Sequence, residues 1–321
     1  MSIHFQAKHL SGFTVHSPLQ PVVFPDGAVH IKGADVETEY EYQIADVRGL
    51  SHDDLFLLAM WGEACDDRGE EKILLLPYLP GARMDRGQPN GSFVYAEFIN
   101  KIVRPDRIIT LDPHSEAATL WYPKTHMVRD HESKGKGVRV KQVPYLTVFP
   151  VERIIRREVQ DASRDLPGNH DYVGVIAPDK GAHERAAAAA KVMGVPVYTG
   201  GKTRDFETGK LSGFHMEDEL PAEGKLLIVD DICDGGGTFI GLAEATGLPK
   251  ERLDLWVTHG IFSKGFGGLF DHFGIIHTTD SYFNMPQGST DRINAATGDD
   301  FNNYVKVHKL APYLYAEVNI G

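Results

Sequence analysis

The stretch that most constrains this chain is Lys225 to Thr238, KLLIVDDICDGGGT. Leu226, Leu227, Ile228 and Val229 form a short continuous apolar run, the pattern of a parallel strand covered on both faces. The run ends on Asp230 and Asp231, followed by Asp234, the glycines Gly235, Gly236 and Gly237, and Thr238. A helical pattern, FIGLAEATG, starts at once, so the glycines sit between the C-terminal end of a strand and a helix N-terminus. Open α/β sheets bind ligands there. Glycines let backbone N–H groups curl around an anion, and the helix N-terminus adds partial positive charge. The paired acids point to a second group, because carboxylates repel phosphate but accept hydrogen bonds from vicinal sugar hydroxyls. A sugar phosphate satisfies both halves. No Lys follows the glycines, so the stretch is not a Walker loop, and its spacing also misses GxGxxG.

With 321 residues, 42% of them hydrophobic, the chain is long enough for two domains. A formal net charge of −12 argues against a nucleic-acid partner. Two distant cysteines, Cys65 and Cys233, offer neither a disulfide framework nor metal-ligand spacing. No apolar run approaches membrane-spanning length. The expectation is a soluble, cytoplasmic enzyme with no membrane partner.

VDDICDGGGT resembles the ribose-phosphate-binding motif of type I phosphoribosyltransferases and, more closely, of ribose-phosphate pyrophosphokinases (PRPP synthetases). Other segments favour the second family in chain order. Phe24-Pro25-Asp26-Gly27 reads as a hairpin turn before a strand from Ala28 to Ile31. It is similar to a Phe-x-Asp-Gly-Glu segment with which family members hold the adenine of ATP in a neighbouring subunit; here Ala28 replaces the Glu. A helix is expected over 51–66, with Ser51 as N-cap. A buried strand follows from Lys72 to Leu76 and ends in PYLPGARMDRG. That segment resembles the ATP-binding loop PYxxYARQDR, with Arg83, Asp85 and Arg86 matching and Met84 in place of Gln. Arginines past a strand end are well placed to clamp a polyphosphate. After a short helix over 94–103, the strand Arg107 to Leu111 ends at Asp112-Pro113-His114-Ser115, similar to VDLHS, whose His contributes to a magnesium–ATP site. The Lys-rich stretch 130–142 reads as a solvated loop.

A domain boundary is expected near Pro150, giving domains 1–150 and 151–321, with the tail packed back on the core. A strand over 172–176 leads into APDKGAHERA, which resembles SPDxGGxxRA and so implies a magnesium-linked role for Asp179. An Ala-rich helix then runs to a stop at Gly194. The strand VPVYT is followed by GGKTRDFETGKLSG, which reads as a mobile loop. Lys202 and Arg204 match the family's KxR pair, on a loop that closes over the reacting phosphates. THGIFS, containing His259, matches THxIFS.

Together these segments imply an α/β protein of two tandem phosphoribosyltransferase-like domains, each a mostly parallel sheet flanked by helices, with the site between them. The implied reaction moves the β,γ-diphosphate of magnesium ATP to the anomeric hydroxyl of ribose 5-phosphate. Asp230 and Asp231 would hold ribose hydroxyls, and Asp234, Gly235, Gly236, Gly237 and Thr238 the 5-phosphate. His114 and Asp179 would support Mg2+, Phe24, Asp26, Arg83, Asp85, Arg86 and His114 would bind ATP, and Lys202 and Arg204 would act on the transferring group. The Phe24–Asp26 hairpin implies a homo-oligomer, a dimer or hexamer. Gly235 stands where the family loop D-T-G-G-T has Thr, which removes a hydroxyl donor and widens the pocket. A 5-phosphate-substituted ribose such as ADP-ribose is therefore an alternative acceptor. A catalytically silent regulatory relative is the alternative from another class.

Overall fold

The computed structural model describes residues 3–10, 13–35, 40–130, 139–159, 170–204, 211–282 and 301–318. They divide into two compact units, Met1–Phe149 with Ala311–Gly321, and Pro150–Leu310.

The first unit opens with β1 (Ile3–His9), β2 (Thr14–His16), β3 (Gln20–Val23), β4 (Val29–Lys32) and β5 (Tyr40–Val47). Helix α1 (His52–Arg68) follows, then β6 (Glu71–Leu75), α2 (Gly91–Phe98), β7 (Arg107–Leu111), α3 (Glu116–Thr119), β8 (Thr125–Asp130), β9 (Arg139–Pro144) and β10 (Leu146–Phe149). Its six-stranded sheet has the order β10-β7-β6-β5-β1-β2. The strands from β10 to β5 are parallel, while β1 pairs antiparallel with both β5 and β2. Strands β3 and β4 form a separate hairpin, as do β8 and β9. The 131–138 stretch, the centre of the Lys-rich segment, lies outside the described residues.

Helix α1 shows why the local sequence folds as it does. Ser51 Oγ accepts from the Asp54 N–H at 3.2 Å and Asp54 Oδ2 accepts from the Ser51 N–H at 2.8 Å, a reciprocal cap. The helix stops at Gly69, whose φ of 67° suits glycine. Leu57, Leu58, Trp61, Ala64 and Cys65 lie on one buried face, and Trp61 stacks on Phe5 of β1. Helix α2 begins three residues before the expected start, because Asn90 caps it by accepting from the Phe93 N–H at 2.9 Å. It continues as a π-helical turn over Ile99–Val103.

The second unit runs α4 (Val151–Glu158), β11 (Tyr172–Ala177), α5 (His183–Met193), β12 (Val197–Arg204), β13 (Leu211–Met216), β14 (Lys225–Cys233), α6 (Gly237–Thr246), β15 (Leu253–Gly260), α7 (Gly267–Phe270), β16 (Ile276–Thr279) and β17 (Val305–His308). Its seven-stranded sheet has the order β13-β12-β11-β14-β15-β16-β17, parallel throughout except for β13. Leu226 to Val229 are fully buried, with Val175, Ile176 and Ala177 on one side and Leu255, Trp256 and Val257 on the other. Helix α5 ends at Gly194, whose φ is 74°.

Two expectations change. GGKTRDFETGKLSG is in large part an antiparallel hairpin, with β12 running through Lys202 and Arg204 and pairing with β13; residues 205–210 lie outside the described residues. Small glycines permit close strand pairing without an apolar pattern, so periodicity alone reads it as loop. The chain's last segment, α8 (Ala311–Val318), groups with the first unit rather than the second. Tyr315 donates to Asp46 at 3.2 Å and Tyr313 lies edge-on to Phe149.

Candidate active site

Among the parallel strands of the second unit, β11 is followed on one side by β12, and on the other by β14, β15, β16 and β17. The winding direction therefore reverses between β11 and β14. At such a switch point the two chain exits diverge and leave a crevice at the strand C-termini, the usual ligand site of open α/β sheets. The residues singled out in this half gather there. Asp179 follows the end of β11, Asp230 and Asp231 lie in the last turn-ward part of β14, and Lys202 stands on neighbouring β12.

The strand carrying the acids is longer than its apolar run suggests. β14 continues through Asp230 and Asp231 to Cys233, because β15 offers it partners as far as Gly260. Asp230 and Asp231 follow one another at the end of that strand, and their carboxylates lie close enough to interact. Arg185, in the first turn of α5, spans them: its Nη1 lies 3.4 Å from Asp230 Oδ1 and 3.8 Å from Asp231 Oδ1. Burial, then the adjacent Asp231 carboxylate, pushes the Asp230 pKa well above the ordinary carboxylate range, and Arg185 pulls it back. Arg185 is the residue sequence reading passed over. A signal was present: a cation in the first turn of a helix opposes the macrodipole and calls for nearby acids.

Asp179 has a double role. Its Oδ1 accepts from the N–H groups of Gly181 at 2.9 Å and Ala182 at 3.2 Å, which shapes the turn into α5. Its Oδ2 accepts from Lys202 Nζ at 2.7 Å. Burial alone would raise its pKa, but Lys202 and the two backbone donors outweigh it and hold the carboxyl below the usual range. Thus Lys202 is placed at the switch point by an ionised Asp179. The side chain of Arg204 lies outside the described residues.

The glycine loop joins β14 to α6. Gly236 has φ 78°, a backbone conformation that favours glycine, and a Cβ there would press on Leu269 Cδ2 at 3.1 Å. Helix α6 starts at Gly237, and the first N–H groups of a helix lack intrahelical partners. Asp234 accepts from Ser263 Oγ and Thr238 is half-buried in the first turn of α6. The room at Gly235 is bounded by the side chain of Lys264, rather than simply wider. Cys233 is buried and its thiol is pushed up to about 12, chiefly by burial, so no thiolate chemistry belongs here. His259 is buried and its Nδ1 lies 2.8 Å from Ser281 Oγ, a structural contact.

In the first unit, the exits of β6 and β7 are brought together: Ser115 Oγ donates to Asp85 Oδ2 at 2.6 Å, and the same Ser115 caps α3. Arg83, Arg86 and His114 are exposed beside them. Arg86 projects into solvent, its side chain 94% exposed, with Asp85 4.0 Å away. Phe24 and Asp26 sit on the tip of the β3–β4 hairpin; Asp26 Oδ1 accepts from the Ala28 N–H at 3.0 Å, and the Phe24 ring is half exposed. Among the described residues, no three His, Cys, Asp or Glu side chains gather to hold a metal ion.

No family model matches the chain. It is nevertheless similar over most of its length to ribose-phosphate pyrophosphokinases. That of Pyrococcus furiosus is 28% identical over 282 residues, 81% of this chain and 85% of the relative. That of Thermococcus kodakarensis is 27% identical over 216 residues, 65% of each chain, so this match spans just under two thirds of the relative. The fold is that of the phosphoribosylpyrophosphate synthetase from Mycobacterium smegmatis, with a TM-score of 0.66 at 17% identity over 95% of this chain and 90% of that one.

Proposed function

From this distant relationship to the ribose-phosphate pyrophosphokinases, we propose that the chain is a diphosphotransferase acting on ATP and a ribose 5-phosphate. The observation that carries the reading is the acid pair with Arg185 at the switch point of the second unit, one turn before a glycine loop that opens a helix. Asp230 and Asp231 accept hydrogen bonds from ribose hydroxyls, and the loop from Asp234 to Thr238 binds the 5-phosphate. This fixes the anomeric hydroxyl for attack on the β-phosphorus of ATP. A C1–O–Pβ bond forms, the Pα–O–Pβ bridge breaks, AMP leaves with the bridging oxygen, and the hydroxyl proton is released. Such a transfer depends on positioning and charge stabilisation rather than on a covalent enzyme intermediate. Lys202, with Arg204, stabilises charge on the transferring group.

On the nucleotide side, Arg83 and Arg86 engage the polyphosphate, and Phe24 and Asp26 contact the base from a neighbouring copy, which makes the enzyme a homo-oligomer. Mg2+ keeps most of its ligands as water and substrate phosphate oxygens and takes few from protein. In the second unit an ionised Asp179 is the residue that would fit that demand; in the first unit the resemblance implies His114. When bound, the ion would neutralise phosphate charge. The second reading is an acceptor whose 5-phosphate carries a further group, as in ADP-ribose; Gly235 removes a side chain from the loop, and Lys264 bounds the room it leaves. Retention of Lys202, Asp179, Asp230 and Asp231 speaks for an active enzyme rather than a silent regulatory relative.

The test is nucleotide release from magnesium ATP with ribose 5-phosphate and with ADP-ribose offered separately. AMP released only when one of these acceptors is present supports the reading. Acceptor-independent release, or ADP as the nucleotide product, overturns it.

A further inference from the structure

The glycine loop departs from D-T-G-G-T at Gly235, and the space beside that residue belongs to Lys264. A Cβ placed on Gly235 would lie 3.3 Å from both Cδ and Cε of Lys264 and 3.7 Å from its Cγ. The lysine methylenes therefore run along the glycine, with the ammonium one bond beyond Cε.

The backbone that bears Lys264 is held beside the loop. The Ile261 and Phe262 N–H groups donate to the Cys233 carbonyl at 2.9 and 3.1 Å, and the Ser263 N–H to the Asp234 carbonyl at 3.2 Å. Ser263 Oγ adds a bond to the Asp234 carboxylate. Phe262 is buried, its ring 4.3 Å from that of Phe266, and the Gly265 N–H closes a turn onto the Phe262 carbonyl at 2.8 Å. The segment bearing Lys264 is thus stitched to Cys233 and Asp234, the two residues immediately before Gly235. Lys264 is exposed, and no hydrogen bond or ion pair joins it to another described residue.

A threonine at 235 would offer one hydroxyl; a lysine beside a glycine offers three N–H donors and a full charge. We infer that Lys264 binds the phosphate on C5 of the acceptor sugar, and that Gly235 and Lys264 form a coupled pair in which the missing side chain admits the lysine stem. The inference rests on the reading of the loop as a 5-phosphate site. A point charge engages a phosphate monoester and a substituted phosphate alike, whereas a hydroxyl must meet one oxygen in one geometry. The pair therefore lets the loop accept both kinds of phosphate ester of ribose.

The experiment is calorimetric binding of ribose, ribose 5-phosphate and ADP-ribose to the full chain, without ATP. It compares the parent with Lys264→Met, Lys264→Arg, Gly235→Thr and the double variant Gly235→Thr/Lys264→Met. Loss of a charge-assisted bond predicts roughly a ten- to hundred-fold weaker affinity of Lys264→Met for phosphorylated sugars. Its weak affinity for ribose should not change, and Lys264→Arg should keep most of the binding. Gly235→Thr crowds the lysine stem, so the double variant should bind little worse than either single one. Because a point charge engages both esters, Lys264→Met should weaken ribose 5-phosphate and ADP-ribose alike. Equal binding by the parent and a folded Lys264→Met, or fully additive losses, would overturn the pair. Failure of the parent to bind either phosphorylated sugar would instead overturn the 5-phosphate reading, and the pair with it.

Discussion

Replacing Arg185 by Met removes a guanidinium that lies 3.4 and 3.8 Å from two neighbouring carboxylates. The three side chains are 12%, 17% and 6% exposed, so solvent screens them little. At an effective dielectric of 20, each contact is worth about 4–5 kcal/mol in Coulomb terms. Most of that offsets the cost of taking the ions out of water. Loss of the cation leaves two like charges side by side, and the pair can relieve this by taking up a proton, since Asp230 already holds one more readily than an ordinary carboxyl. The net loss should therefore be smaller than for an obligatory buried pair, about 2–3 kcal/mol at pH 8. For a unit of this size that lowers Tm by about 4–12 °C.

The pH dependence carries the sign. A carboxyl whose folded pKa is raised contributes stability that is full below the unfolded value, about 4, and is lost as pH rises through the folded value. Removing Arg185 raises that folded value further. The variant should thus suffer most at pH 8 and least near pH 4, where the folded Asp230 holds its proton with or without Arg185. Thermal unfolding of parent and variant from pH 4 to 8 is the assay, with Arg185→Lys as the charge-retaining control. An equal Tm loss at both ends of the range, or none at pH 8, would refute the reasoning.

Two other consequences can be measured directly. Lys202→Met removes the cation that meets Asp179 at 2.7 Å; AMP formation should fall about 10²–10³-fold while acceptor affinity in calorimetry changes little. His277 is buried, 3.1 Å from His308 and stacked near Trp256, and burial followed by the charge of His308 pushes its pKa down to about 3. The unfolded chain then binds the extra proton, so stability declines as pH falls from about 6.5. His277→Gln should make that decline shallower by up to about 1.4 kcal/mol per pH unit, read from denaturant unfolding between pH 6 and 4.

Much of the second unit is legible in sequence because its signals are local. The apolar run Leu226–Val229, the glycines after it and the Gly194 stop each act over a few residues, and the structure places strand, loop and helix end accordingly. What escapes is set by partners far along the chain. β14 extends through the acids only because β15 runs beside it, and a glycine-rich hairpin forms at Lys202 because β13 supplies the ladder. Arg185 looks like one cation in an alanine helix until the sheet brings Asp230 and Asp231 to it. Likewise, Gly235 reads as added room until Lys264, 29 residues later, is seen beside it.

The central claim is the bond made at the sugar. The most direct measurement is phosphorus NMR, with mass analysis, of the products from magnesium ATP and each acceptor. The account predicts AMP and a sugar 1-diphosphate in equal amounts, with the inner phosphorus attached to C1 of the ribose. ADP with a singly phosphorylated sugar, or no sugar diphosphate from either acceptor, would contradict it.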